Sequence, residues 1–340
     1  MRIKVILAFV SGMLLVGIQG FAQQFTYISI DVPNSTATWA MGIGPGGQIV
    51  GGYMGADDNR EHGYVYDNGT FTTIDVRGSL VGLDDHVTLE TEVNGINPAG
   101  DMVGDYFAPP GAPGAPACVV AYSPPCRRGF LYRHGRFSNV LVPGHVGSVP
   151  NSIAPDGRIY GCLHDQTFGA QMFGFVRTPS GDDGTFTYET LQSGGGELVD
   201  ANRAVPNSMN NAATPDGSII VGLYTPAGAT RAHGYTVQNG VLSDYVFPGS
   251  LATQIWGMNP TGDFVGLYRI LNALGKLEAH GFLQLADGSA PIAINYVDQI
   301  TRQQAVQTQA FGINPAGAIV GLYLDSSGGE HGFLAVPGGN

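Results

Sequence analysis

The sequence predicts an all-β fold, a six-bladed β-propeller built from four-stranded repeats of about 54 residues. Three observations predict it. The chain of 340 residues contains 52 Gly and 21 Pro, which interrupt helices and favour short strands joined by tight turns. One phrase that contains Pro and Gly recurs six times. A strand-like segment near the start of the chain then supplies the strand that the last repeat lacks.

The first 22 residues have the pattern of a secretory signal peptide. Arg2 and Lys4 form a positively charged start, residues 3–21 are mostly apolar, and Gly20 and Ala22 supply the small residues of a cleavage site. We therefore expect cleavage near Ala22 and a single propeller domain over residues 23–340, with a retained membrane anchor as the alternative. The product is expected to be secreted or periplasmic, without a membrane span and monomeric.

The first repeated phrase runs over residues 95–106 as Gly-Ile-Asn-Pro-Ala-Gly-Asp-Met-Val-Gly-Asp-Tyr. Its copies begin at six lead positions, which are Gly42, Gly95, Ser152, Ala212, Gly257 and Gly312. A hydroxyl residue stands four positions before each of them: Thr38, Thr91, Ser148, Ser208, Thr253 and Thr308. The second phrase has Gly before an aromatic residue, and its glycines from Gly63 to Gly332 span 269 residues in five steps, about 54 per repeat. This period is typical of propeller blades.

Each repeat reads as four consecutive strands, a to d. Strand a ends at an Asn-Pro-x-Gly turn, in which Pro fixes φ and Gly permits a positive φ, and strand b is the following Ile-Val-Gly-x-Tyr run. Strand c carries the second phrase, and strand d is the alternating run at residues 71–76. The dipeptides Asn68-Gly69 and Asn239-Gly240 predict a tight hairpin between strands c and d.

The two ends of the chain predict ring closure. The sixth repeat stops after strand c, near Pro337, and residues 25–33 have the pattern of a strand d. An N-terminal strand would therefore complete the last blade and leave no open sheet edge. An open solenoid or two separate sandwiches are the alternatives.

These residues resemble the HAF repeat family of probable extracellular repeat proteins. The resemblance spans residues 25–337 and rests on His-Gly-Phe or His-Gly-Tyr in four of the six repeats, together with the Gly-Ile-Asn-Pro-x-Gly and Ile-Val-Gly-x-Tyr phrases. Arg128 and Phe173 stand at the His position in the second and third repeats. The resemblance implies export and repetition, and it implies no particular chemistry.

The recurring polar residues are interpreted as structural. His62, His233, His280 and His331 occupy equivalent places in different blades and cannot converge, so each is expected to hydrogen-bond a neighbouring strand. The hydroxyl residues are expected to bond the backbone and so join neighbouring blades. The lead glycines are expected to permit close approach of strands near the axis.

Loop length indicates a ligand-binding end. The b–c and d–a connections are long and variable and emerge at the same end of the ring, whereas the tight turns at the other end look too uniform to discriminate ligands. At the variable-loop end the candidate ligand contacts are Asp84, Asp85, Glu92, Tyr106 and Phe107. Aromatic rings would serve as platforms for a carbohydrate and carboxylates as hydrogen-bond acceptors. No catalytic residues are predicted.

Two short segments suggest metal and cysteine chemistry. Asp57, Asn59 and Glu61 offer oxygen ligands that calcium prefers, but the surrounding loop lacks the Gly and distal Glu of an EF-hand, and a solvated loop is the alternative. No other cofactor is predicted. Cys118 and Cys126 are predicted to form a disulfide within a Pro-rich loop, with two free thiols as the alternative, and Cys162 to be a small buried thiol.

Composition and motifs narrow the function. The formal charge of -12 and the single lysine after the signal, Lys276, argue against nucleic acid as a partner. The sequence has no GxSxG, HExxH, P-loop or Rossmann fingerprint. The leading hypothesis is a binding module for an extracellular polysaccharide or partner protein. A polysaccharide hydrolase or lyase with its site at the variable-loop end and a structural surface protein are the alternatives.

Overall fold

The computed structural model describes residues 25–109, 111–113, 127–142, 145, 147–164, 172–180, 185–190 and 208–338. These residues form six four-stranded antiparallel sheets. The described part of the chain contains no α-helix, only a 3-10 turn at Gly78–Val81. The signal segment and the Cys118–Cys126 pair lie outside the described residues and stay predictions.

The sheets follow one another along the chain as blades of a propeller. Blade 1 consists of β2 (Ser35–Ile43), β3 (Ile49–Gly55), β4 (Glu61–Asp67) and β5 (Thr70–Ile74). Blade 2 consists of β6 (Thr91–Ile96), β7 (Met102–Phe107), β8 (Arg127–Arg133) and β9 (Arg136–Val140). Blade 3 consists of β10 (Ser148–Ile153), β11 (Ile159–His164), β12 (Met172–Ser180) and β13 (Thr185–Thr190).

The second half of the ring repeats the same order. Blade 4 consists of β14 (Met209–Ala213), β15 (Ile219–Tyr224), β16 (His233–Gln238) and β17 (Val241–Tyr245). Blade 5 consists of β18 (Ala252–Met258), β19 (Phe264–Leu271), β20 (Leu277–Gln284) and β21 (Ile292–Ile294). Blade 6 consists of β22 (Gln307–Ile313), β23 (Ile319–Leu324), β24 (Glu330–Pro337) and, from the other end of the chain, β1 (Phe25–Ile30). The protein is therefore a six-bladed β-propeller, as predicted.

The N-terminal strand closes the ring in the predicted way. β1 pairs antiparallel with β24 in unbroken register from Phe25 opposite Pro337 to Ile30 opposite Gly332. The Tyr27 ring packs edge-on against Tyr296 at a centroid distance of 5.6 Å, so the strand is held by packing as well as by the ladder. Closure removes the edges that an open array would expose.

The innermost strand of every blade contacts the innermost strands of its neighbours around the axis. This close approach requires small residues at the lead positions. A Cβ at Gly42 would lie 2.8 Å from the carbonyl oxygen of Asn94, and one at Gly257 would lie 2.5 Å from that of Phe311. The prediction that the lead glycines permit close strand approach is confirmed.

The buried hydroxyl residues join the blades. Each accepts a backbone N–H from the preceding blade: Val32 to Thr38 (3.1 Å), Val76 to Thr91 (3.0 Å), Gly129 to Ser148 (3.2 Å), Gly174 to Ser208 (3.0 Å), Phe247 to Thr253 (2.9 Å) and Tyr296 to Thr308 (3.0 Å). The predicted backbone bond is therefore present at all six positions.

The core is divided between neighbouring blades. The aromatic residue after the glycine of the second phrase is fully buried in every blade: Tyr64, Phe130, Phe175, Tyr235, Phe282 and Phe333. The tight turns have the predicted backbone, with positive φ at Asn68 (48°) and Asn239 (49°) in the c–d hairpins. Cys162 is a buried thiol, as predicted. Among the described residues, no helix is long and apolar enough to cross a membrane.

Candidate functional site

All six innermost strands carry a β-bulge at the same place, immediately before the lead position. At each bulge the ladder skips one residue: Met41, Asn94, Asn151, Asn211, Trp256 and Phe311. A bulge redirects a side chain relative to a regular strand. Here all six of the skipped residues line a cavity on the propeller axis.

The axial cavity has a volume of about 170 Å³. Beyond the bulged residues its wall continues through the six lead positions to the prolines of the tight turns, Pro45, Pro98, Pro155, Pro215, Pro260 and Pro315. The cavity therefore opens at the tight-turn end of the ring. Inner-strand side chains, rather than the turns, distinguish the blades at this end, and the expectation of a ligand site at the variable-loop end stays a prediction.

The axial cavity has a polar side and an apolar side. The asparagines come from the consecutive blades 2, 3 and 4, whereas Trp256, Phe311 and Met41 come from blades 5, 6 and 1. The Trp256 and Phe311 rings meet edge-on at a centroid distance of 5.3 Å. Among the described residues, no Asp, Glu, Lys, Arg or His lines the cavity.

Hydrogen bonds from blade to blade fix the asparagine side. Asn94 Nδ2 donates to the carbonyl oxygen of Pro150 at 3.0 Å. Asn151 Nδ2 donates to Asn211 Oδ1 at 2.7 Å, and Asn211 Nδ2 donates to the carbonyl oxygen of Ile255 at 2.7 Å. The polar side is therefore held in place before any ligand arrives, a condition that reduces the entropic cost of binding.

Three polar atoms of cavity residues are buried and have no hydrogen-bond partner among the described residues: Asn94 Oδ1, Ser152 Oγ and Tyr160 OH. Burial of an unpaired polar atom costs roughly 1–3 kcal/mol, so such atoms are rare in native proteins unless something binds them. Burial also raises the pKa of Tyr160 to about 12, so its hydroxyl stays protonated and can donate at neutral pH. These three atoms have no surface accessible to water, so they lie behind the wall of the cavity.

The residues that line the cavity do not include the next level of inner-strand residues. The next inward-facing residues toward the variable-loop end are Trp39, Glu92, Val149, Met209, Gln254 and Gln309, and none of them lines the cavity. Trp39 Nε1 donates a short hydrogen bond to Glu92 Oε1 and links blades 1 and 2 at this level. All six of these next-level residues are partly exposed.

A carboxylate–arginine cluster lies at the variable-loop end of blades 1 and 2. Arg127, the first residue of β8, donates to Asp105 at 2.6 Å, to Glu92 at 3.2 Å and to Glu61 at 3.4 Å. Asp105 also accepts from Asn94 Nδ2 at 3.0 Å, so the cluster touches the polar side of the axial cavity.

One arginine does not balance three carboxylates. Burial and then the negative charge of Glu92 raise the pKa of Glu61 to about 7, although Arg127 opposes this shift. Burial also raises the pKa of Glu92, against the opposing effect of Arg127. The Asp105 carboxylate in turn raises the pKa of Arg127. Near neutral pH the cluster can therefore hold a proton on Glu61.

The repeated histidines have the predicted structural role. Nδ1 of His62, His233, His280 and His331 shares a hydrogen bond with Asp75 (3.0 Å), Asp244 (2.9 Å), Asn295 (2.9 Å) and Asp31 (2.8 Å) respectively, each from strand d of the same blade or the residue after it. The imidazoles thus tie strand c to strand d in four separate blades, and they do not converge.

The candidate ligand contacts are dispersed. Tyr106 is 1% exposed, packs in the core between blades 1 and 2 and donates to Asn139 at 2.6 Å, so the expectation of a surface platform is corrected. Phe107 packs beside the same core. Asp85 accepts from Ser79 at 2.5 Å, and Asp84 accepts from the backbone of His86 at 2.8 Å, both within the connection between β5 and β6.

The candidate calcium ligands are also divided. Glu61 contacts Arg127, whereas Asp57 and Asn59 remain in the β3–β4 loop, where Asn59 has a φ of 54°. Among the described residues, no group of three or more His, Cys, Asp or Glu side chains is arranged to hold a metal ion. Calcium at Asp57, Asn59 and Glu61 stays a prediction.

Of the residues chosen from the sequence, the structure brings together Glu61 and Glu92, and it adds Asp105 and Arg127, which sequence reasoning missed. Asp105 stands where the other repeats have Gly, Cys or Leu, so an isolated charge within a repeated apolar position was the available signal. The six bulged residues were missed as well, although they are the varied position directly before a repeated one.

Comparison with known proteins supports the fold. No family model matches the chain, and no curated protein matches it significantly. It is similar in structure to the Hadza microbial sialidase Hz136, with a TM-score of 0.51, 11% identity and coverage of 89% of this chain and 66% of the sialidase. For the Trypanosoma rangeli sialidase in complex with the inhibitor DANA the TM-score is 0.50, with 9% identity and coverage of 91% and 57%. The chain thus spans two thirds or less of these sialidases, and at such identities the likeness shows the propeller fold only.

Proposed function

We propose that this protein is an exported binding module that holds part of an extracellular glycan in its axial cavity. The observation that carries the proposal is the ring of six bulges, which sets aromatic residues of blades 5 and 6 opposite the asparagines of blades 2, 3 and 4 around one cavity. A sugar ring has apolar C–H faces and a hydroxyl perimeter, and it therefore matches Trp256 on one side and the asparagines on the other.

The compartment and the family belong to the same proposal. The signal pattern of residues 1–22 supports secretion or export to the periplasm, and the repeated His-Gly-aromatic phrases support membership of the HAF repeat family. An extracellular glycan is a ligand that an exported protein would meet.

Tryptophan fluorescence tests the proposal because the chain contains only two tryptophans. Trp256 lies in the axial cavity and Trp39 lies at the variable-loop end. In the variant Trp39→Phe, emission reports on the cavity alone, and titration with neutral monosaccharides, oligosaccharides and polysaccharides should shift it. Calorimetry of the wild type supplies the affinity without a label.

Trp256→Phe and Trp39→Phe form a matched pair, since each exchanges one indole for a phenyl ring. Trp256→Phe should weaken binding roughly tenfold, the scale of one lost aromatic contact, and Trp39→Phe should leave the affinity unchanged. Binding that is lost in Trp39→Phe and retained in Trp256→Phe would move the site to the other end and refute an axial ligand.

A second candidate function is hydrolysis of a polysaccharide at the variable-loop end. The observation that favours it is the Glu61–Glu92 pair, in which Glu61 has a pKa of about 7, suitable for a general acid at neutral pH. Release of reducing ends from a panel of polysaccharides would support this function if Glu61→Gln abolished it. Binding without turnover would leave the binding module as the function.

A further inference from the structure

A groove of about 560 Å³ lies on the outer rim of the ring between blades 1 and 2, and it shares no lining residue with the axial cavity. It is bordered by β5 and β9, the outermost strands of their blades. The connection after β5 forms one wall and the β8–β9 hairpin the other, with the main side chains Arg77, Ser79, Asp85, Tyr132, Arg136 and Phe137. We call this site the rim groove. Its volume is within the range of sites for small organic ligands.

The wall formed by the β5–β6 connection is braced on both sides. The backbone N–H of Gly78 donates to the carbonyl oxygen of Val87 at 2.7 Å, which ties the two ends of the connection together. Asn139 Nδ2 of β9 donates to the carbonyl oxygen of Leu80 at 3.4 Å, which ties the connection to blade 2. The wall is therefore fixed before a ligand binds, and this reduces the entropic cost of binding.

The hairpin wall is basic, although the protein is acidic. The formal charge of the chain is -12, but residues 106–155 contain four arginines and no Asp or Glu. Arg136 is exposed and forms no ion pair with another described residue. Arg77, on the opposite wall, is also exposed and uses Nη1 for a hydrogen bond to Thr88 at 3.0 Å. Both guanidinium groups therefore have N–H donors left for an anionic group.

The two carboxylates of the rim groove differ in how they are compensated. Asp75 Oδ2 lies 3.0 Å from His62 Nδ1. Burial lowers the pKa of His62, but the hydrogen bonds and charges of Asp75 and Asp58 outweigh burial and raise that pKa, which favours an imidazolium that offsets Asp75. Asp85 is exposed and accepts a hydrogen bond from Ser79 Oγ at 2.5 Å. Its second carboxylate oxygen can accept a hydroxyl of a ligand.

Tyr132 and Phe137 give the rim groove an apolar surface. Their ring centroids lie 4.8 Å apart, and both side chains are partly exposed. Aromatic surface of this kind packs on the C–H face of a sugar ring. A guanidinium group binds a carboxylate in two-point geometry, and a carboxylate such as Asp85 binds hydroxyls. The lining therefore matches a sugar that carries a carboxylate.

We propose that the rim groove binds a hexuronate unit of an acidic polysaccharide. Arg136 binds the carboxylate of the unit, Asp85 and Ser79 bond its hydroxyls, and Tyr132 and Phe137 contact its ring. This inference goes beyond the proposed function, because it assigns a second site, on the rim and for a charged sugar, that does not depend on a ligand in the axial cavity.

The first test measures the binding of acidic trisaccharides by calorimetry at low salt. The probes are the trimers of galacturonate, glucuronate, mannuronate and guluronate, and at least one of them should bind. Arg136→Gln should weaken that binding at least about tenfold, because a hydrogen bond to a charged group is lost. The matched control is Arg302→Gln, which removes the same charge from an exposed arginine outside the groove and should change the affinity less than about twofold.

Two results of this test overturn the proposal. If none of the four acidic trimers binds, the rim groove has no hexuronate site. If Arg136→Gln and Arg302→Gln weaken binding equally, the attraction is general and no site at Arg136 is involved.

The second test separates the rim groove from the axial cavity. Trp256→Phe should leave the affinity for the acidic trimer unchanged, because Trp256 lines only the axial cavity. Binding that is lost in Trp256→Phe and retained in Arg136→Gln would place the acidic trimer on the axis and overturn the proposal. Failure of the acidic trimers alone leaves the proposed binding of neutral glycans on the axis intact.

The third test distinguishes a sugar site from a simple anion site, with inorganic sulfate as the second probe. Asp85→Ala removes a negative charge, so it should strengthen the binding of sulfate, but it also removes a hydroxyl acceptor and should weaken the binding of the acidic trimer several-fold. The melting temperature should not change, because Asp85 is exposed. An acidic trimer that binds more tightly to Asp85→Ala than to the wild type would show a simple anion site and overturn the assignment to a sugar.

Discussion

At the scale of single residues, buried polar side chains differ in whether all of their hydrogen-bonding groups have partners. Thr91 is fully buried. Its hydroxyl accepts a hydrogen bond from the backbone N–H of Val76 and donates one to the carbonyl oxygen of Leu89, so it is satisfied as both acceptor and donor. Asn94, three residues later, bonds Asp105 and Pro150 through Nδ2 but leaves Oδ1 without a partner in the described chain. The first pattern satisfies a buried hydroxyl at a blade interface, and the second leaves a buried acceptor without a hydrogen bond.

The raised pKa of Glu61 predicts how stability depends on pH. Its folded-state pKa of about 7 lies above the unfolded value of about 4.3, so the folded state binds the proton more tightly. Stability therefore falls as pH rises between about 4.3 and 7. The variant Glu61→Gln cannot ionise, and at pH 8 it should be about 1–3 kcal/mol more stable than the wild type, with little difference at pH 4.

Urea unfolding across this pH range provides the measurement. Glu330 is the matched control, because it is also the first residue of a strand c but is exposed. Glu330→Gln should leave the curve unchanged. A Glu61→Gln protein whose stability follows the wild type at every pH would show that the cluster does not hold its proton on Glu61.

Sequence reasoning reached the structural residues more easily than the site residues. The hydroxyl and histidine residues occur at the same position in several repeats. This repetition indicated that each has the same structural role in its own blade. Tyr106 was placed at the surface because it precedes a long loop, yet the strand alternation directs its ring into the core. Glu92 was correctly predicted to lie on an inner strand. The arginine that binds it lies 35 positions away in the sequence, and no repeated motif marks that position.

At the scale of strands, the bulge is what turns a packed axis into a binding cavity. In a regular strand alternate residues face neighbouring blades, as Thr38 and Ala40 do in β2. The extra residue, Met41, shifts the register between Ala40 and Gly42. The strand then continues to its end at the tight turn. The same shift in six strands brings one side chain from each blade to the wall of the cavity.

The strands were predictable and the bulges were not. Each strand carries a repeated pattern and is bounded by turn residues with defined φ, so composition and period suffice to place it. A bulge adds one residue to one strand and depends on hydrogen-bond register, which a sequence pattern does not record. The small residues that follow each bulge were read as packing aids, although they also leave the space in which the cavity forms.

The N-terminal strand β1 contributes to stability mainly through one face. Tyr27 packs against Tyr296 and Phe333, whereas the neighbouring Ile28 is 46% exposed. Tyr27→Ala should therefore lower the free energy of unfolding by about 2–4 kcal/mol, and the control Ile28→Ala by less than about 1 kcal/mol. Chemical denaturation measures both. Equal effects of the two substitutions would mean that β1 is held by its backbone ladder alone.

At the scale of the whole molecule, the ring separates two environments on one axis. The tight-turn end opens into an uncharged cavity, and the variable-loop end carries the cluster of Glu61, Glu92, Asp105 and Arg127. Asn94 bonds Asp105 and also lines the cavity, so it connects the two. Loop length varies at one end, whereas the varied side chains of the inner strands line the cavity at the other. A ligand site at the variable-loop end stays a prediction.

The ring is closed by the noncovalent pairing of β1 with β24, which we call the seam. The stability of the ring therefore depends on this pairing. Phe25 pairs with Pro337 in the same way that Thr70 pairs with Asp67 on either side of Asn68-Gly69. An Asn-Gly link from Pro337 to Phe25 should therefore form the missing c–d hairpin without distorting either strand. We expect a head-to-tail cyclised protein over residues 25–337 with this link to fold and to be more stable than the linear chain.

The gain has an upper limit set by loop entropy. Closing a loop of this length removes roughly 5 kcal/mol of chain entropy from the unfolded state in the random-coil limit, and residual structure in that state reduces the effect. Urea unfolding of the cyclic protein, beside the same chain cleaved within the link, measures the difference under matched conditions. If cyclisation leaves stability unchanged or lowers it, the two ends do not meet as a c–d hairpin, and the seam in blade 6 has a different geometry from the hairpins in the other blades.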